Sequence, residues 1–138
     1  MDKLKIRVRA ELENIDGVFE ELPDYKKPPY LSTLELAGVA ALLHNFYNGV
    51  ENVLKQILKS KNIIIPAGDS WHKELLIISK ENEIITDELR LLLGDYLAFR
   101  HYFAHGYAFD LYAEKMEPLV EKANAIYNAF KKNIKDFC

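Results

Sequence analysis

Cysteine is nearly missing from this chain of 138 residues. Its one occurrence, Cys138, excludes a disulfide within the chain and any cysteine-based metal site, and fits a reducing compartment such as the cytoplasm. Glycine and proline are scarce as well, at 6 and 5 residues, which leaves few breaks in long helices. No stretch reaches the roughly 18 uninterrupted apolar residues of a membrane helix. The N-terminal segment, residues 1–16, alternates charge where a signal peptide would carry an apolar core. A soluble, cytoplasmic protein with no membrane contact is therefore expected. Basic charge is not in excess: 18 Lys and Arg against 21 Asp and Glu give a formal net charge of −3, unlike a non-specific nucleic-acid binder. Any polyanion has to be met by a local patch.

Apolar residues make up 49% and charged residues 28% of the chain, enough for a real core and too hydrophobic for disorder. The length suits one domain over 1–138. Apolar residues recur at three- and four-residue steps nearly throughout, so the expected fold is all-α, an up-and-down bundle of four to five helices. Leu4, Val8, Ile15, Phe19 and Leu22 mark a first helix over about 2–22, ended by Pro23. Ser32 followed by Glu35 has the form of a capping box and opens a long helix over about 33–61. Its part from Leu36 to Leu43 is apolar nearly all round, an excess that a partner subunit could cover. Ile63-Ile64-Ile65 has no second strand to pair with and reads as an apolar loop anchor. Asp69 or Ser70 caps a short helix through Trp71, Leu75 and Ile78, and Thr86 caps the next, which reaches Gly106. A last helix over about 111–135 contains Pro118, as a kink or as its effective start.

The most unusual local composition is Arg100-His101-Tyr102-Phe103-Ala104-His105-Gly106-Tyr107, which packs a guanidinium, two imidazoles and two phenols into eight residues. Imidazole titrates near pH 6.5 and can take a proton from a ribose 2′-hydroxyl or return one to a leaving oxygen, while a guanidinium holds phosphate oxygens bidentately. The pairing suits metal-free phosphodiester cleavage and favours RNA over DNA. At about 100° per residue, however, Arg100 and His105 stand roughly 140° apart on an ideal helix. They converge only if the helix opens near Gly106 or a symmetric partner brings a second copy alongside.

This run, an arginine, four residues, a histidine, one residue and a tyrosine, resembles the signature of HEPN-domain ribonucleases, and its terminal tyrosine points to the HepT branch. The resemblance extends to an aromatic-rich helix, here Asn45-Phe46-Tyr47-Asn48-Gly49-Val50-Glu51-Asn52-Val53-Leu54, and to a motif preceding the last long helix. It implies a HEPN-like helical homodimer with the two motifs facing across a cleft, cleaving RNA without a metal or other cofactor. Arg100 would stabilise the scissile phosphate, His105 would be the acid or base, and His101 would orient or assist. It further implies a toxin of a type VII-like toxin–antitoxin pair, silenced when an MNT nucleotidyltransferase antitoxin transfers AMP to Tyr107 and adds charge and bulk beside the cleft.

Other readings compete. A helical scaffold without catalysis could bind a nucleotidyltransferase or a nucleotide. His101 and His105, four apart, could share a helical face in a metal-binding bundle, but no zincin-type Glu and no third ligand accompany them. His44 reads as a hydrogen-bonded packing residue and His72 as a surface or capping residue. Glu51 either supports the cleft by pairing with a motif residue or is a semi-exposed acid. The basic sets Lys3, Lys5, Arg7 and Arg9, then Lys55, Lys59 and Lys61, then Lys131, Lys132 and Lys135 are first of all solvated faces, one of which could line an RNA groove.

Overall fold

The computed structural model describes residues 2–24, 27–65, 67–105 and 113–138, the side chains of 104 and 105 excepted. The described residues form five α-helices and no strand: α1 (Lys3–Glu21), α2 (Thr33–Ser60), α3 (Trp71–Glu81), α4 (Asp87–His105) and α5 (Ala113–Ile134). Single 3₁₀ turns lie at Pro28–Tyr30 and Lys135–Phe137.

Local chemistry sets most of the boundaries. The Asp2 carboxylate accepts from Leu4 N at 2.9 Å and caps α1. The expected capping box is complete: Glu35 N donates to Ser32 Oγ at 3.1 Å and Ser32 N to Glu35 Oε1 at 3.0 Å. Leu89 N donates to Thr86 Oγ1 at 3.1 Å, so Thr86 caps α4 as expected. Ser70 occupies the N-cap position of α3 but makes no capping bond, and its hydroxyl donates instead to Glu74 at 3.4 Å. Both α2 and α3 end in Schellman motifs, with Asn62 (φ 60) and Glu83 (φ 59) in the left-handed region. The closing bonds run from Ile63 N to Leu58 O at 3.0 Å and from Ile84 N to Ser79 O at 2.9 Å. The Ile63-Ile64-Ile65 run is thus an anchor: Ile63 follows the left-handed residue and packs on the core, while Ile64 is exposed. Pro118 lies inside α5, which begins at Ala113, so it does not mark the start of that helix.

Side-chain pairs give the topology. Phe19 meets Phe46, and Glu11 lies by Asn52, so α1 and α2 are antiparallel. Phe46 meets Tyr96 and His44 meets Phe103, so α2 and α4 are antiparallel too. Lys115 sits over Tyr102 and Asn133 accepts from Thr86 N, which sets α5 against α4. The four long helices therefore alternate up and down, and α3 is the short element between α2 and α4. Two phenols tie the outer helix in. Tyr96 Oη donates to Leu119 O at 2.5 Å, and Tyr127 Oη donates to Asp16 at 2.7 Å with Leu12 O at 3.1 Å. Leu34, in the apolar half of α2, stands exposed, whereas Val39, Ala40 and Leu43 are buried.

Close approach of α1 to α2 depends on Gly49, where a Cβ would meet Ile15 Cγ1 at 2.5 Å and Cδ1 at 2.8 Å. Ile15 is 1% exposed and has nowhere to retreat. Gly49→Ala is expected to lower stability by about 1–3 kcal/mol through overpacking. In denaturant unfolding, Ile15→Ala/Gly49→Ala should be less destabilised than the sum of the two single variants.

Candidate functional site

Arg100 is the anchor of the site because of where its stripe points. Leu89, Leu93, Tyr96, Arg100 and Phe103 recur at four, three, four and three residues along one face of α4. The first three are buried in the core, and Phe103 packs edge-on against His44 with ring centroids 5.9 Å apart. Arg100 is thereby carried inward against α2, and its Nε is enclosed by protein without a hydrogen-bond partner. Of the three guanidinium nitrogens only Nε is sealed off in this way.

Facing it, α2 presents His44, Tyr47 and Glu51, whose spacing confines them to an arc of about 60°. His44 is half-buried with Nε2 enclosed and unpaired, so the expectation of a hydrogen-bonded packing histidine holds for the packing and not for the bond. Burial, and secondarily the Arg100 charge, hold its pKa below the ordinary histidine value. Tyr47 is fully buried, and its hydroxyl falls short of a hydrogen bond. Burial and the Glu51 carboxylate push its pKa well up, against the opposing pull of Arg100. The phenol therefore stays protonated and feels one negative and one positive group.

Glu51 and His72 correct the sequence reading. Glu51 is not semi-exposed: it is 1% exposed, and 2.7 Å from it lies His72 Nδ1, which is outside the motif. His72 is accordingly not a surface or capping residue but the partner that α3 supplies to a buried carboxylate. Taking a carboxylate out of water costs several kcal/mol unless a short polar contact of this kind offsets it. Trp71 stacks on His72 at 3.6 Å between ring centroids, and Lys55 Nζ lies 4.0 Å over the Trp71 ring. The sequence did contain a signal for both charges. Arg100 and Glu51 each interrupt an apolar stripe at core spacing, Glu51 between Tyr47 and the buried Leu54 and Leu58.

The other motif residues fall differently. His101 is exposed, about 100° round the helix from Arg100. Helix α4 runs through His105, so it does not open before that residue. The His105 side chain and Tyr107 lie outside the described residues. Among the described residues no group of three His, Cys, Asp or Glu side chains is placed to hold a metal ion.

Two grooves lie away from Arg100. One of about 400 Å³ separates α4 from α5 and is lined by Asp95, Ala98, Phe99 and Tyr102, which project roughly 100–160° from Arg100 on an ideal helix. Another, of about 310 Å³, is rimmed by Lys5, Arg9, Lys131 and Lys135 over Val8, Leu12 and Ile134. Because α5 ends beside Thr86, this basic rim sits near the start of α4, about 20 Å along that helix from Arg100. Two of the basic sets thus converge, but not around the motif.

In comparison with known families, the family described as HepT-like protein matches residues 38–138. That span takes in nearly all of α2 and everything after it, so His44, Tyr47, Glu51, His72 and the whole motif lie within it. No curated protein and no solved structure matches the chain.

The lowered pKa of His44 has a measurable consequence. Between its folded value and the unfolded value near 6.5 the unfolded chain binds more protons, so stability falls as pH drops below about 6.5. Thermal unfolding of wild type and His44→Gln at pH 7.5 and 5.5 should show a smaller acid-side loss in the variant.

Proposed function

The chain belongs to the HepT-like family, and from that premise we propose that it is a metal-independent endoribonuclease toxin, one HEPN-like domain over 1–138 that works as a cytoplasmic homodimer. The observation that carries this reading is the placement of Arg100. A guanidinium on the inward stripe of α4, with Nε enclosed and flanked by Tyr47 and a neutral His44, is pre-oriented to receive a phosphate. No helix among the described residues is long and apolar enough to cross a membrane.

In the proposed reaction the ribose 2′-oxygen attacks phosphorus, the 2′-proton passes to one imidazole, and the departing 5′-oxygen receives a proton. His105 supplies one of these transfers and Arg100 holds the charge that builds on the phosphate oxygens. His101, exposed on the adjoining face, contacts the RNA strand or the partner motif. The 140° between Arg100 and His105 on a continuous α4 favours a cleft made by two copies, in which the Arg100 of one faces the His105 of the other. An MNT nucleotidyltransferase antitoxin would silence the site by transferring AMP to Tyr107, next but one to His105.

RNA cleavage in the presence of a chelator should be seen with wild type and fall by at least about 100-fold in Arg100→Ala and in His105→Ala. Equal cleavage by all three proteins would overturn the assignment and leave the scaffold reading. Co-expression with a neighbouring nucleotidyltransferase should add the mass of AMP to a peptide containing Tyr107, and Tyr107→Phe should abolish the increment. An increment mapping elsewhere refutes the proposed control.

A further inference from the structure

Three groups on α2 and α3 have no task in the proposed cleavage chemistry. Glu51 is a carboxylate buried at a position whose neighbours in sequence, Val50 and Val53, are buried and apolar. An apolar side chain there would avoid the desolvation cost altogether. His72 reaches across from α3 to hold it at 2.7 Å. Tyr47, one turn earlier on α2, buries a hydroxyl that completes no hydrogen bond, although the charges of both Glu51 and Arg100 reach it. Arg100 in turn buries an Nε–H that completes none. An enclosed hydroxyl oxygen with free lone pairs and an enclosed N–H donor are complementary, and each is costly when left alone.

We propose that Tyr47 and Glu51 are positioning residues that aim Arg100: the carboxylate, anchored by His72, takes the Tyr47 hydroxyl proton as its hydrogen-bond donor and so turns the phenol oxygen toward the Nε edge of the guanidinium. The array orders Arg100 from behind and leaves its other edge for the phosphate. Interposing a phenol also has an electrostatic reason. A carboxylate bonded directly to Arg100 would neutralise the charge that a phosphate needs, whereas a neutral hydroxyl passes on orientation with little charge. The inference deepens the ribonuclease reading and rests on it for the identity of the phosphate, but the order of Arg100 can be tested without RNA.

Tyr47→Phe is the decisive variant, because it deletes only the hydroxyl through which the array would run. If that oxygen merely packs, its loss leaves stability equal or higher and function untouched. The positioning role predicts a kcat for RNA cleavage lowered about 10- to 100-fold and a KM changed little. In uniformly ¹⁵N-labelled full-length protein, the Arg100 Nε–H resonance, assigned by its absence from Arg100→Lys, should shift and exchange faster with solvent in both Tyr47→Phe and Glu51→Gln. Should Glu51→Gln fail to fold, Tyr47→Phe decides alone. An unchanged Arg100 resonance overturns the array whether or not the protein cleaves RNA, and so does wild-type kcat in Tyr47→Phe. A shifted resonance in a protein whose wild type cleaves nothing supports the array and overturns the ribonuclease reading instead.

Discussion

The packing of Phe46 is the contact on which the rest of the molecule depends. Its ring, fully buried on α2, meets Phe19 of α1, Tyr96 of α4 and Tyr127 of α5 at centroid distances of 5.5, 5.3 and 6.1 Å, each nearly perpendicular. One side chain thereby fixes three helices against a fourth. Edge-to-face geometry is directional, so it specifies rotation as well as proximity. The rotation of α4 decides which of its side chains look inward. With Tyr96 held against Phe46, Arg100 one turn later is turned toward α2 and cannot point freely into solvent.

That constraint sets apolar packing and charge against each other. The same α2–α4 contact that buries Phe46 and Tyr96 also carries His44, Tyr47, Glu51 and Arg100, a polar seam beside the core. Only Glu51 has a short polar contact, and it comes from α3. Buried polar atoms without partners are few in native structures, and here three of them, on His44, Tyr47 and Arg100, lie in one neighbourhood. A chain selected for stability alone would have filled the seam with leucine. Departures from local consistency of this kind concentrate where a protein acts.

The distribution of charge follows a related logic. The basic rim of Lys5, Arg9, Lys131 and Lys135 is at the end of the bundle away from Arg100, and the chain as a whole carries −3. That rim therefore adds little to the field at Arg100, and selectivity for an anion there leans on the aim of the guanidinium itself.

The fold was open to reading from the chain because helices announce themselves locally. The stripe of α1, the capping box at Ser32 and Glu35, and the Thr86 cap involve residues within a few positions of each other, and the structure reproduces all three. The resemblance to the HepT branch rested on the same kind of short-range signal, the run from Arg100 to Tyr107, and the family match over 38–138 spans it. The surroundings of Arg100 were beyond such reading. Glu51 and His72 are 21 residues apart, and Arg100 lies a further 28 beyond His72. Taken singly, each has a commonplace explanation as a surface charge or cap. What local pattern determined was the helices and their order. Tertiary packing alone decided that Glu51 of α2 is buried and meets His72 of α3, and that Tyr47 is enclosed within reach of the Arg100 charge, because burial and pairing are properties of the space between helices, which no single stretch of sequence contains.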